Sequence, residues 1–475
     1  MLSYEAVIGL EIHVHLLTAS KLFCSCPATF GAEPNEQVCE VCAAMPGALP
    51  RLNERAVELA ARAGLALHCA LNEVSFFSRK NYFYPDLPNG YQTSQYVPPI
   101  CEGGYLEVTT GESTRRIGIT RIHMEDDAGK CLHGQAGSTL VDLNRAGTPL
   151  IEIVTEPDLR SSEEAAACMR QIHALLVYLG VTDGNMEEGS LRCDANVSLR
   201  PRGATVYGTR AEIKNINSFR NVQRAIDFEI ERQEARLKDG GSIAQETRLF
   251  DAARQVTLAM RDKEDAHDYR YFPTPDLPPV LVSGEQIRLW RESLPELPAA
   301  RARRFVESLG LSREEAAILT VDRPTADYFE QAAGFGGQPR RIANLMAGEL
   351  LRECASSGLS PDKAKMTPDH LSELARLIED GALSPRMAHE IFPDLFASGI
   401  SPGTYIRQRN LAQLSDAGAL EAVVDAVLAA NPEEAAGYRG GRSKLLSFFI
   451  GQVMSRTKGQ ANPALAKDLL VRKLG

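Results

Sequence analysis

The prevailing spacing of apolar residues differs on the two sides of a proline-rich stretch, Tyr271-Phe-Pro-Thr-Pro-Asp-Leu-Pro-Pro279. Before it, short segments alternate apolar and polar residues: Ala6–Leu16, Leu106–Thr109, Arg116–Met124, Leu140–Leu143, Leu150–Val154, Arg192–Leu199 and Arg210–Asn215. A period of two places residues i and i+2 on one face of a strand. After it, Ser or Thr followed by Pro recurs at Ser360-Pro361, Thr367-Pro368, Ser384-Pro385 and Ser401-Pro402, the pattern of a helix cap with proline at the first helical position. A strand-rich half followed by a helical half fits an α+β chain and excludes strict β-α-β alternation.

Three helices interrupt the strand-rich half. Asn53 caps one running to Gly64. Ser161-Ser162-Glu163-Glu164 offers a capping box for a second that stops at Gly180. Ser218 starts a third, with Phe219, Val222, Ile226, Ile230 and Leu237 at helical spacing, ended by Gly240-Gly241. The organisation expected is residues 1–292 as a mainly antiparallel β domain with helices, 293–405 as an all-α domain, and 406–475 as a helical tail.

At 475 residues the chain can bury its cores without disulfides. Its ten cysteines and the lack of a basic leader point to a reduced, cytoplasmic setting with no signal peptide. The apolar run Leu445–Met454 is far short of the ~20 residues that span a bilayer, so no membrane association is expected. A net charge of −10 excludes a uniformly basic nucleic-acid binder. Residues 439–475 depart from this, with eight lysines and arginines against Asp468 alone. Such a segment suits phosphate contacts, and equally a solvated helix face.

Cys24-x-Cys26 followed by Cys39-x-x-Cys42, on a loop with Pro27, Gly31 and Pro34, has the spacing of a closed tetrahedral thiolate site for zinc. The other six cysteines are scattered and are expected to act as small apolar side chains. A second set lies within apolar strands: Glu11 and His13, Glu125, Glu152 and Asp194. Carboxylates in such places are costly unless they meet a metal or a cation. Hard oxygen donors with one imidazole suit Mg²⁺ or Mn²⁺. Spacing alone leaves two readings open, ligands of one ion or separate salt-bridged strand residues. Arg79-Lys80 and Arg210-Ala-Glu-Ile-Lys214 are the cationic candidates for phosphate or carboxylate. There is no Gly-x4-Gly-Lys-Ser/Thr loop, no Gly-x-Gly-x-x-Gly, and no nucleophile–base pair for glutamine hydrolysis, so any nitrogen must come from another chain.

Several longer runs carry a family resemblance: Ile8-Gly-Leu-Glu-Ile-His-Val-His15, Phe77-Ser-Arg-Lys-Asn-Tyr-Phe-Tyr-Pro-Asp-Leu-Pro88, Arg121-Ile-His-Met-Glu-Asp-Asp-Ala-Gly-Lys130, Val141 to Asp158, Tyr269-Arg-Tyr-Phe-Pro273, and Phe448-Phe-Ile-Gly-Gln-Val-Met454 with Ala461-Asn-Pro463. Together they resemble the GatB family, the B subunits of the aspartyl/glutamyl-tRNA amidotransferases. The resemblance implies a cradle-shaped α+β domain, a helical domain and a YqeY-like tail that binds tRNA. It implies a heterotrimer with an amidase partner, the A subunit, and a small C subunit. Misacylated tRNA(Gln) or tRNA(Asn) and ATP are the implied substrates: the side-chain carboxylate is phosphorylated, then amidated by channelled ammonia.

Carried over by position, the magnesium ligands are Glu11, His13, Glu125 and Glu152, with Asp194 a further member, and the zinc ligands are Cys24, Cys26, Cys39 and Cys42. Lys80 matches a lysine near the ammonia path. Lys80 and Lys214 are the expected catalytic cations, and Arg79 and Arg210 the expected ATP-binding ones. The chain departs from the family pattern at Asn89, where many relatives carry Lys, at Asp126 in place of Glu, and at Thr274 in place of Glu. A zinc-stabilised tRNA-binding module without chemistry, and a metal-dependent hydrolase using Glu11, His13 and Glu125, are the competing readings.

Overall fold

The alternation along Tyr4–His15 (β1) organises the first part of the computed structural model, which describes residues 3–111, 113–133, 137–260, 268–409, 411, 417–457, 461 and 463–475. Leu10, Ile12 and Val14 point to one side with at most 1% exposure, while Glu11, His13 and His15 point to the other. Two further strands sandwich β1 in antiparallel register, Pro149–Thr155 and Leu191–Pro201.

In chain order the principal elements are β1, α1 (Glu54–Ala66), β2 (Phe77–Asn81), β3 (Tyr91–Gln95), β4 (Cys101–Thr110), β5 (Ser113–Asp126), β6 (Pro149–Thr155), α2 (Ser162–Tyr178), β7 (Leu191–Pro201), β8 (Ala211–Ile216), α3 (Phe219–Lys238), β9 (Glu246–Asp251), β10 (Val256–Ala259) and β11 (Phe272–Pro273). Among the described residues they build a twelve-stranded sheet in the order β10-β9-β8-β7-β1-β6-β5-β3-β2-β11, with β4 on β5 and Ala70–Leu71 on β4. Within that sheet β8–β9 is the parallel pair and the rest are antiparallel. This is the expected α+β class.

One face of the sheet is dry. Ile12, Ile122, Ile151, Cys193 and Val197 form one cluster with Leu59 and Ala63 of α1, Met169 and Ile172 of α2, and Val222 and Ile226 of α3. All three helices begin where expected. The Asn53 side chain accepts from the Arg55 and Ala56 amides, Ser161 from Glu164, and Ser218 from Asn221. The capping box at Ser161 is only half formed: Glu164 accepts from the Arg160 amide at 2.8 Å and pairs with Arg115. Leu140–Leu143 appears as Thr139–Asp142, in a separate two-stranded ladder with Lys130–His133.

The first unit runs to Leu297, because Ile287, Trp290, Leu294 and Leu297 pack against its core. The second, Pro298–Gly475, is helical among its described residues and has two apolar clusters. One is centred on Phe305, Phe329, Leu374 and Phe392, the other on Leu420, Val424, Phe449, Val453 and Leu470. Thr367-Pro368, Ser384-Pro385 and Ser401-Pro402 each open a helix. Ser360-Pro361 opens a single 3₁₀ turn, Pro361–Lys363, since the next Thr-Pro start follows too closely for a longer helix. Lys458 and Asn462, part of the expected basic tail and its motif, lie outside the described residues. No described helix is long and apolar enough to cross a membrane.

Candidate active site and cysteine centre

Register partners on neighbouring antiparallel strands project their side chains to the same side. His13 on β1 is opposite Glu152 on β6, and Glu152 is opposite His123 on β5. Glu125 follows His123 by two residues and shares its face. Four polar groups thus meet on the polar side of the sheet. His13 Nε2 lies 3.3 Å from Glu152 and 3.8 Å from Glu125, and His123 Nε2 lies 3.5 Å and 3.6 Å from the same two carboxylates. Donor atoms of His13, Glu125 and Glu152 lie within 4.8 Å of one another, close enough to share one ion.

Both carboxylates are buried, at 3% and 9% exposure. Burial alone raises the pKa of both. The opposing pull of His13, His123 and, for Glu152, Lys80 keeps both below the usual carboxylate range. Burial works against a charge on His13, yet its bond to Glu152 and the two negative neighbours raise its pKa. The pair of acids therefore stays ionised only with cations around it. A hard divalent ion fits that donor set of two carboxylates and an imidazole.

Glu11 shares this face two residues before His13, about 7 Å along the strand. It lies outside the tight trio. Its carboxylate accepts from Asn196 at 2.9 Å, and burial, then the Glu152 charge, raises its pKa. Asp194, the register partner of Glu11, is paired to Lys214 at 2.8 Å, and Lys214 also meets Glu212 at 2.9 Å. Burial opposes the Lys214 charge, but the two carboxylates hold its pKa above the ordinary value.

Lys80 reaches the same face, since Lys80 pairs with Gln92 and Ser94 with Glu125. Its ammonium sits 5.1 Å from the Tyr269 ring centre and 5.9 Å from that of Tyr82. Arg79, its neighbour, turns to the opposite side, where it pairs with Asp276, donates to Thr274 and lies 4.3 Å over Tyr91. Thr274, the residue that departs from the family pattern, is thus the buried acceptor of this brace. Arg210 is exposed just before β8 and lines a cavity with Glu11, Asn196, Tyr207 and Gln245. Asp126 turns away from the trio and accepts from the Thr93 amide at 2.7 Å; burial pushes its carboxyl up to about 8.

The sequence reading passed over a neighbouring group. Asp127 binds His15 at 2.7 Å, Arg192 at 2.8 Å and Arg145 at 3.4 Å. Period two marks these residues as well: His15 follows His13 by two, His123 precedes Glu125 by two, and Arg192 precedes Asp194 by two.

The four cysteines of the loop converge. Cys42 Sγ lies 3.9 Å from Cys39 Sγ and 4.0 Å from Cys26 Sγ, and all four sulfurs fall within 4.8 Å of one another. Four thiolates at about 2.3 Å from a tetrahedral zinc are separated by roughly 3.8 Å, so the set fits that ion. Cys42 is pulled down to about 4 by hydrogen bonding with Cys24, against burial, and then by the Cys39 N–H and the Lys21 charge. Of the other six cysteines, five are buried in the cores and Cys131 is half-buried.

Residues 6–288 match the family model described as the GatB/GatE catalytic domain, and residues 327–474 match that of the GatB domain. The chain is 57% identical to the B subunit of the aspartyl/glutamyl-tRNA(Asn/Gln) amidotransferase of Nitratidesulfovibrio vulgaris strain DP4 over 477 residues, covering all of both chains. It is 57% identical to the protein of that name from Oleidesulfovibrio alaskensis over 476 residues, again covering all of both. The protein of that name from Lawsonia intracellularis is 53% identical over 471 residues, 99% of each chain. With a family model over its sheet domain and full-length identity above half, the chain belongs to the family of B subunits of the tRNA-dependent amidotransferases.

Proposed function

We propose that this chain activates the side-chain carboxylate of glutamate or aspartate misacylated onto tRNA(Gln) or tRNA(Asn) and presents it to ammonia. The observation that carries the reading is the convergence of His13, Glu125 and Glu152, with Lys80 on the same sheet face. A carboxylate is a poor acyl donor, because its oxygen leaves badly. Transfer of a phosphoryl group from ATP to that oxygen, with release of ADP, supplies a leaving group; the ammonia nitrogen then attacks the acyl carbon, expels phosphate and loses a proton to give the amide.

In this reading His13, Glu125 and Glu152 would hold Mg²⁺, with Glu11 next along the same face of β1. The ion, when bound, offsets the negative charge that builds up as carboxylate and triphosphate approach. Lys80 draws the substrate carboxylate toward the site. Arg210 and the cavity beside Glu11 suit the ATP phosphates, whereas Arg79 supports β2 from the other face. Asp194 and Lys214 brace β7 on β8 and act on substrate through that geometry. The four cysteines hold structural Zn²⁺. An amidase partner, the A subunit, supplies ammonia, and a small C subunit completes a cytoplasmic heterotrimer. Separate cores around Phe392 and Phe449 support reading the helical part as two domains, the second meeting tRNA; the first of them begins at Pro298 and takes in Ile406 and Leu411, so both boundaries fall a few residues after the expected 293 and 406.

The test supplies the purified complex with ATP, Mg²⁺, glutamyl-tRNA(Gln) and ammonium chloride, which bypasses the amidase. Glutaminyl-tRNA with stoichiometric ADP is expected. Tight tRNA binding with no ADP would overturn the reading in favour of a binding module, and product formed without ATP would favour a hydrolase-like site.

A further inference from the structure

Lys21 is fully buried, with 0% of its surface exposed. Its ammonium donates to the Gln37 carbonyl at 2.7 Å, the Leu143 carbonyl at 3.2 Å and the Cys42 sulfur at 3.5 Å. Three N–H groups thus have three acceptors. None is a carboxylate, and among the described residues Lys21 forms no ion pair with one. A buried ammonium held by neutral carbonyls alone is costly. The Cys42 sulfur is the one group in its shell that can carry a full negative charge.

The need runs in the other direction too. Four thiolates around one divalent ion leave two negative charges over. Cys42 receives two N–H groups, from the Cys39 amide at 3.2 Å and from Lys21. We infer that Lys21 is the counter-charge of the cysteine centre, a positioning residue that stabilises the Cys42 thiolate toward its metal. The inference rests on reading the four cysteines as a metal site.

Lys21 also fastens that centre to the active-site side of the sheet. Through Leu143 it grips the segment leading into β6, where Leu22 N donates to Gly147 O at 2.8 Å and Gly147 N to Asp127 O at 2.9 Å. From the same segment Arg145 donates to the carbonyls of Ala128 and Gly129. Lys21 is thus one of several ties, with the Leu22–Gly147 backbone bond and the Gln37–Asn144 contact, between the cysteine loop and the segment that meets the end of β5.

The test uses the full-length chain as wild type, K21M, K21Q and K21R. Three quantities are measured: zinc content, the rate of zinc release to a chelator, and the sulfur-to-metal charge-transfer band after cobalt(II) substitution. K21M and K21Q, which lack the charge, are expected to release zinc ~10–100-fold faster, the usual cost of losing a group that supports a metal ligand. Their cobalt bands should move to lower energy as the sulfur loses its charged donor, and K21R should recover both properties in part. Should K21M fail to fold, K21Q carries the comparison with a neutral donor in place. Wild-type release rates with an unmoved band in either neutral variant would overturn the role of Lys21. A wild-type chain that takes up neither zinc nor cobalt would overturn the cysteine reading itself, and the inference with it.

Discussion

His13 and Glu152 are register partners on adjacent central strands, and their side chains meet at 3.3 Å. A pair placed by strand register is held by the sheet ladder and by the dry face beneath it, where Ile12, Ile151 and Ile153 are fully buried. Groups mounted on such a scaffold keep their geometry better than groups on loops. The ionised state of Glu152 costs desolvation that His13 and its neighbours offset. Glu152→Gln keeps the shape and removes the charge. It is expected to lower kcat for tRNA-dependent ATP cleavage by about 100-fold or more, because a bound divalent ion is worth several kcal/mol at the transition state and about 1.4 kcal/mol is tenfold in rate. The measurement is ADP release against Mg²⁺ concentration; a variant with wild-type kcat and Mg²⁺ dependence would remove Glu152 from the site.

His123 stands between the two carboxylates, with Nε2 toward them and Nδ1 buried without a hydrogen-bond partner among the described residues. It is expected to aim Glu125 and Glu152 rather than to react. His123→Ala should raise the Mg²⁺ concentration for half-maximal activity by about 10–100-fold, with a smaller change in KM for tRNA. His123→Asn, which keeps a donor on a shorter stem, should recover part of it. An equal fall in kcat at all Mg²⁺ concentrations, with no shift along that axis, would contradict a positioning role.

Much of this site is legible residue by residue, and little of it as a site. Alternation along Gly9–His15 separates Leu10, Ile12 and Val14 from Glu11 and His13 without any structure. It cannot state which distant strand lies beside β1, because pairing is fixed by the packing of all three helices on the dry face. Glu152 and Glu125 meet His13 only through two such pairings. The same alternation, applied more strictly, separates Arg79 from Lys80, since neighbours on a strand face opposite ways. It also marks His123, which stands two residues before Glu125 on the same face. Lys21 left no signal, since nothing local distinguishes a buried lysine from an exposed one.

The cysteine centre lies on a loop without helix or strand, so on the zinc reading a bound ion would supply the rigidity that a ladder gives elsewhere. Cys39→Ser is expected to lower zinc content from about one per chain to near zero. Trypsin should then cut faster at Arg51 or Lys21, as the loop they flank loosens. Metal analysis beside a proteolysis time course checks both; unaltered zinc would take Cys39 out of the ligand set.

The tail tests the tRNA reading, and its structure decides how. Removing residues 439–475 would take away Phe449, Val453, Leu469 and Leu470, most of the tail's own core, so a deletion would confuse recognition with unfolding. Not every basic residue is available either: Lys473 is held by Asp425 at 2.6 Å and by Glu421 at 2.9 Å. Arg442 and Lys444 are exposed at the turn before helix Leu445–Arg456, away from that core. Arg442→Glu with Lys444→Glu should therefore leave the thermal midpoint within a degree or two, as surface changes cost roughly 0.5 kcal/mol or less. If both residues meet phosphates, KM for tRNA rises and the slope of log affinity against log salt falls by roughly 1.4 to 1.8, at ~0.7–0.9 per contact. An unchanged slope with an unchanged KM would place the tRNA contact elsewhere on the chain.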